Sequence, residues 1–355
     1  MDTFSETAFV LLATLLKVAI VLLVLLTTIA YLSWLERKVV AHIQARWGPY
    51  FVGPHGLLQP VADGIKFLFK EDIVPLEADR FLYWLAPFVG FTLAFLSIAV
   101  IPFGEGFTFR GHTIRFQIAD LNVGLLFVFA VTSLGVYSIV LAGWSSNSKY
   151  PLFGALRSSA QMISYELALG FAVVGVLMIS GTLSLRGIVE GQGGFWHLGG
   201  VNTFLPHWNV FVQPVGFLVY FTAAVAETNR VPFDLPEGET ELVGGFHTEY
   251  SSLKFAMFFM AEYANMVTVS CLATLLFFGG WHGPVFGPGV LRALLPVFWF
   301  CLKVFCFLFV YIWMRGTLPR FRYDQLMAFG WKFLLPVALL NVLATSLVIA
   351  WLTAS

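Results

Sequence analysis

Charge is what this chain has least of. Only 11% of its residues are Asp, Glu, Lys or Arg, where a soluble domain carries about 25%. So few charges cannot cover a water-facing surface, and a soluble globular fold is excluded. Acidic and basic residues number 20 each, a balance that gives no reason to expect a nucleic-acid partner. Cysteine is scarcer still. Cys271, Cys301 and Cys306 lie in apolar runs without metal-ligand spacing. No disulfide framework, zinc site or iron–sulfur motif can be built from them, and they read as small buried hydrophobes. His42, His55, His247 and His282 show neither HxxxH nor HExxH spacing, so no metal site is expected. Internal repeats are not evident, which speaks against the repeated halves of many transporters. The first apolar run, Phe9–Ser33, has no basic segment before it and is too long for a cleavable signal, so it reads as a retained helix.

What the chain has is apolar length. Hydrophobic residues make up 59% of it, in repeated runs long enough to cross roughly 30 Å of hydrocarbon. The fold class is therefore an all-α polytopic membrane protein. About eight transmembrane helices can be marked by apolar length, at 9–33, 81–103, 121–143, 162–180, 210–226, 255–279, 291–314 and 331–352. They form one membrane domain, 1–355, without a linker.

Basic residues set the orientation. With the amino terminus outside, 14 of them fall on the cytoplasmic side and only Arg110, Arg115, Arg186 and Arg292 outside. That asymmetry follows the positive-inside rule and turns both termini away from the cytoplasm. Between the first two spans the pairs Gly48-Pro49 and Gly53-Pro54 read as turns. Beyond them Leu58, Val61, Ile65 and Leu68 recur at helical steps, with Gln59, Asp63, Lys66 and Lys70 on the other side. This spacing predicts an amphipathic helix at about 57–70, lying in the cytoplasmic interface.

The few buried charges demand a reason. Glu166 lies inside the fourth span and Glu262 well inside the sixth. A charge at the bilayer centre costs about 2.5–3.5 kcal/mol, avoided by protonation, pairing or a wet cavity. Proton handling is one reading; a structural ion pair with Lys254 or Arg157 is the other. Glu227 ends the fifth span three residues before Arg230, a spacing that permits a plain helical salt bridge. It opens the stretch "AETNRVPFDLPEGETELVGGF", part of an acidic cytoplasmic loop at 227–254. Pro232 and Pro236 stop regular structure there, and the glycines allow the loop to fold back. Asp234, Glu237, Glu239 and Glu241 then crowd one another, and clustered carboxylates take up protons in a coupled way. A merely solvated acidic loop is the competing reading. Lys17 and Lys303 also lie in spans; Lys17 is expected to pack against a protein neighbour and Lys303 to pair with a buried acid.

Three stretches carry a resemblance: "ERKVVAHIQARWGPYFVGPHGLLQPVADGIKFLFKED", "AETNRVPFDLPEGETELVGGFHTEYSSLKFAMFFMAEYAN" and "RGTLPRFRYDQLM". In order and spacing the chain resembles the NuoH family, the H-type membrane subunits of NADH:quinone oxidoreductase, respiratory complex I. The resemblance implies a proton-translocating respiratory assembly of the bacterial inner membrane, with quinone as substrate. It further implies a chamber for quinone, ubiquinone in the family, formed with two peripheral-arm subunits. A carboxylate path would lead from there to antiporter-like membrane-arm subunits. Glu166, Glu227 and Glu262 match the buried acids of that path, and Asp234, Glu237, Glu239 and Glu241 the acidic loop beside the chamber. Glu36, Arg37 and Arg46, with Asp63, Lys66 and Phe233, match the quinone chamber or its access point. Where the family often has Asn after Gly-Pro, Tyr50 stands here. FMN and iron–sulfur clusters are expected in partner subunits only, since this chain has no motif for them. Two other readings stand beside this one: the equivalent component of a membrane-bound hydrogenase, and a stand-alone proton-coupled transporter.

Overall fold

The computed structural model describes residues 2–109, 112–198, 201–234, 243–287 and 290–354, with side chains outside 2–10, 107–114, 196–204 and 290–291. Among these, seven helices are long and apolar enough to cross a membrane. They belong to α1 (Asp2–Ile43), α3 (Arg80–Ser97), α4 (Gly124–Ser145) and α5 (Lys149–Ser180), then α9 (Ser252–Phe277), α10 (Val290–Thr317) and α12 (Leu335–Ala354). Between them come the interfacial α2 (Gln59–Phe69), the short α6 (Leu185–Glu190), α7 (Asn209–Val212) and α11 (Tyr323–Phe329), and α8 (Pro214–Glu227). A π-helical turn, Gly330–Leu334, runs from α11 into α12.

The fifth predicted span, 210–226, is α8, and it is short. Pro214 starts it and Asn229, with a positive φ of 52°, turns the chain out just past its end; Asn tolerates that region better than most residues. Fourteen residues reach only about 21 Å, less than the hydrocarbon thickness. The helix is tolerable because it packs along α5 and its last turns are buried by protein.

The core gathers around α9. Buried residues make up 67% of its apolar window, against 11% for α1, so α9 is the axis and α1 a peripheral helix. One end of the bundle carries two small antiparallel hairpins, β1 (Phe107–Phe109) with β2 (His112–Ile114) and β3 (Phe195–Leu198) with β4 (Val201–Pro206). The opposite end carries α2, the bend after α8 and α11.

The amphipathic helix forms as its spacing predicts, with Pro60 in the first turn where a missing N–H costs nothing. Val61, Ile65, Leu68 and Phe69 are exposed, an apolar face suited to the membrane interface. Its polar side is fastened to protein. Asp63 pairs with Arg37 of α1, the Ser252 hydroxyl donates to the Phe67 carbonyl at 2.9 Å, and Lys254 lies 3.0 Å from Asp72. The loop before it folds tightly. Gly56 has φ +79°, and a Cβ there would stand 2.3 Å from the Pro49 carbonyl oxygen. Tyr50 packs edge-on to His55 and beneath the Lys38 ammonium.

Candidate functional site

One buried carboxylate organises the α2 end of the bundle. Glu36, near the end of α1, is 3% exposed. It accepts from Arg230 Nη1 at 3.1 Å, from the Tyr263 hydroxyl at 2.5 Å and from Arg315 of α10. Four segments distant in sequence thus meet on one side chain. The bend after α8 makes this possible. Asn229 reverses the chain, and Gln161 of α5 donates to the carbonyls of Ala226 and Phe233, both at 2.8 Å, holding the bend inward. Arg230 then lies over the Tyr263 ring, 4.2 Å from its centroid, a cation–π contact. Its Nε stands 2.7 Å from Glu262 Oε1, so one guanidinium is shared between Glu36 and Glu262.

This corrects several sequence expectations. The partner of Glu262 is Arg230, not Lys254 or Arg157. Lys254 is buried against Tyr83 and Trp84 and paired with Asp72, while Arg157 stacks over Tyr323. Arg230 reaches Glu36 and Glu262 in place of the helical partner that spacing alone offered. Among the described residues Lys303 pairs with no acid: its ammonium donates to the carbonyls of Phe278, Gly280 and His282 at 2.7–2.9 Å, in the turn that follows α9. Cys271 is buried as expected, but Cys301 and Cys306 are exposed on the outer surface of α10.

The other acids divide. Glu227 and Glu262 line one cavity of about 70 Å³ between α3, α4, α8 and α9, together with Asn229, His247 and Asn265. Such a volume holds a few water molecules, at about 10–15 Å³ each. Glu166 stands outside that lining but within electrostatic range of Glu227, and the Ser133 hydroxyl donates to it. Asp234 is buried and paired with Arg320 at 2.8 Å, and Phe233 beside it stacks on Phe321 at 5.6 Å. Glu237, Glu239 and Glu241 lie outside the described residues.

Glu36, Arg37 and Arg46 line a second pocket, of about 450 Å³, with Trp47, Pro49 and Arg315. Asp63 adjoins it through Arg37, and Lys66 is exposed one turn further along α2. Burial works to raise the Asp63 carboxyl, but hydrogen bonds from Arg37 and Gln59, with the charges of Arg37 and Lys66, outweigh it and hold the group below its usual value. Folding adds Arg315, Arg320, Tyr263 and Gln161 to the site, none of which the sequence alone singles out as a site residue. The signal was present, since two of them sit in "RGTLPRFRYDQLM" and Tyr263 follows Glu262 directly.

Known proteins match this chain over almost all of it. A family model described as NADH dehydrogenase matches residues 16–346. The NADH-quinone oxidoreductase H subunit 2 of Koribacter versatilis is 58% identical, covering 97% of this chain and 98% of its own. The chain belongs to the H-subunit family of NADH-quinone oxidoreductase. The H subunit 1 of Solibacter usitatus is 52% identical over 96% and 97% of the two chains, and the H subunit of Thermomicrobium roseum 53% over 94% of each. As a member of this family it is a multi-pass membrane component of respiratory complex I, an enzyme whose substrate is quinone and whose other subunits are its partners. The resemblance in its motifs is thus borne out, as is the all-α polytopic fold.

Proposed function

We propose that this chain, as a single membrane domain, forms part of the quinone chamber and converts quinone reduction into a change of charge along a line of carboxylates. The chamber lies at the α2 end, completed by two peripheral-arm subunits, and the FMN and iron–sulfur chemistry belongs to partner chains. The pocket of Glu36, Arg37 and Arg46 is its access point, Asp234 borders it, and Glu237, Glu239 and Glu241 are assigned to the same function by their match to the family's acidic loop. In the bacterial inner membrane this end faces the cytoplasm and both termini face away.

The observation that carries the reading is the sharing of Arg230. A carboxylate at the pocket and a carboxylate on the inner cavity hold the same guanidinium, so a charge gained or lost at one is felt at the other. At about 4 Å and an effective dielectric near 20, one charge alters its neighbour by roughly 4 kcal/mol. That is about three pKa units at about 1.36 kcal/mol each, enough to reset a carboxyl's protonation. From Glu262 the cavity leads to Glu227, and Glu166 stands next to it. The antiporter-like subunits receive the signal beyond these acids. Replacing Glu262 with Gln is expected to depress quinone reduction and proton pumping together, while NADH oxidation by an artificial acceptor persists in the purified complex. Normal pumping in that variant contradicts the proposal, and loss of the artificial-acceptor activity as well reports failed assembly instead.

A further inference from the structure

The 450 Å³ pocket holds more positive charge than its internal pairs consume. Arg37, Arg46, Arg230 and Arg315 converge there with Lys38 behind them, against the carboxylates of Glu36, Asp63 and Glu262. The Lys38 ammonium is occupied by the carbonyls of Pro49 and His55. Arg46 is hydrogen-bonded to the neutral amide of Gln44 at 2.7 Å, so its charge is balanced by no acid in that contact. A quinone head is neutral and has no need of three guanidinium groups on one wall. A phosphate does, because it accepts from planar guanidinium forks in pairs.

The depth of the pocket names the bearer of that phosphate. Tyr31 lies five residues before Glu36 on α1 and Trp313 two before Arg315 on α10, within about 8 Å along the helix axes, and both are exposed. Trp47 on the pocket wall is 82% exposed. Exposed aromatic residues of this kind mark the headgroup level of a bilayer. Phe51 and Leu58, on the loop between Trp47 and α2, are exposed as well, as is the apolar face of α2 itself, and these side chains offer acyl chains apolar surface. We propose that the pocket binds the phosphate of a phospholipid, with Arg37, Arg46 and Arg315 on the head and the Trp47–α2 surface along the tails. Charge and depth favour this ligand whether or not quinone passes the same mouth.

The test uses the intact purified complex, stripped of lipid in a non-ionic detergent and titrated with short-chain phosphatidylglycerol while bound lipid is counted by native mass spectrometry. Diacylglycerol of the same chain length and inorganic phosphate serve as separate arms. The expected result is phosphatidylglycerol binding that weakens roughly tenfold in Arg46→Gln, the size of one lost charge-assisted hydrogen bond, and recovers partly in Arg46→Lys. Equal binding by wild type and Arg46→Gln overturns the proposal, as does diacylglycerol binding as tightly as phosphatidylglycerol. Inorganic phosphate displacing the lipid at equal concentration makes this a simple anion site and likewise overturns it. Should Arg46→Gln lose the peripheral arm while lipid binding in wild type is absent, the proposal falls and the arginines serve an acidic protein partner instead. Arg37→Gln repeats the measurement with an independent variant if Arg46→Gln fails to assemble.

Discussion

The two ends of this bundle bury polar groups in opposite ways. At the α2 end carboxylates meet guanidiniums across distant segments: Glu36 with Arg230 and Arg315, Glu262 with Arg230, Asp234 with Arg320. At the hairpin end Gln192, Asn209, Gln213 and Lys303 are satisfied by backbone groups and by neutral side chains. Gln192 donates to the Leu275 carbonyl and accepts from the amides of Asn209 and Gly279. Gln213 joins Thr345 at 2.6 Å and Asn341 at 2.8 Å, and Lys303 spends its protons on three carbonyls. Among the described residues there, the ion pairs of Arg115 with Asp120 and Arg186 with Glu190 are local and partly exposed. Neutral networks fasten helices without responding to charge. A shared guanidinium between two acids fastens them and also couples them. Among the described residues the buried ion pairs between distant segments therefore gather at the α2 end.

Breaking the hub should show the contrast most sharply. Glu36→Gln leaves Arg230 and Arg315 facing each other without their common acid, and removing one partner of a buried ion pair costs about 3–5 kcal/mol. We expect a large loss of assembled complex, read as yield and thermal midpoint, and low quinone turnover in what remains. Lys303→Met at the other end frees three carbonyls, each unsatisfied buried acceptor costing about 1–3 kcal/mol. The thermal midpoint should fall there too, but the ratio of protons pumped to quinone reduced, per assembled complex, should not change. A changed ratio would erase the distinction between the two ends. The smallest effect concerns α2. Its Asp63 is held below the ordinary carboxylate value, so the contribution of the Arg37–Asp63 pair is fully present above that value, near 3.8. It is lost only as pH falls through the lower folded value. Hydrogen exchange of the Gln59–Phe69 amides, corrected for intrinsic rates, should therefore be flat from pH 5 to 8, about one to four units above the ordinary value, and rise only in stronger acid.

Much of this architecture was legible in the residues. Apolar length gave the long helices, and three- and four-residue steps gave α2. The 210–226 span came out short because apolar length does not report where Pro214 and Asn229 cut the helix. Glu166 and Glu262 were readable as charges in the wrong solvent, Glu227 and Asp234 as acids of the cytoplasmic bend, and Glu36 only through the family resemblance, but their partners were not. Glu36 and Arg230 are separated by 194 positions, and helical spacing favours a neighbour over such a contact. Lys303 shows the same limit: carbonyls in the turn after another helix leave no mark in the sequence. Arg320 was visible as an orientation signal, and only folding shows that it neutralises Asp234.

If charge passes between Glu227 and Glu262 across their shared cavity, the two acids act as one unit, and a double substitution tests this. Proton pumping per quinone reduced is measured in reconstituted vesicles for Glu227→Gln, Glu262→Gln and the two together, with artificial-acceptor activity as the assembly control. Groups that work through one another are strongly non-additive, so the double variant should be no worse than the poorer single one. Losses that multiply, in complexes that remain intact, would mean that Glu227 and Glu262 serve separate routes.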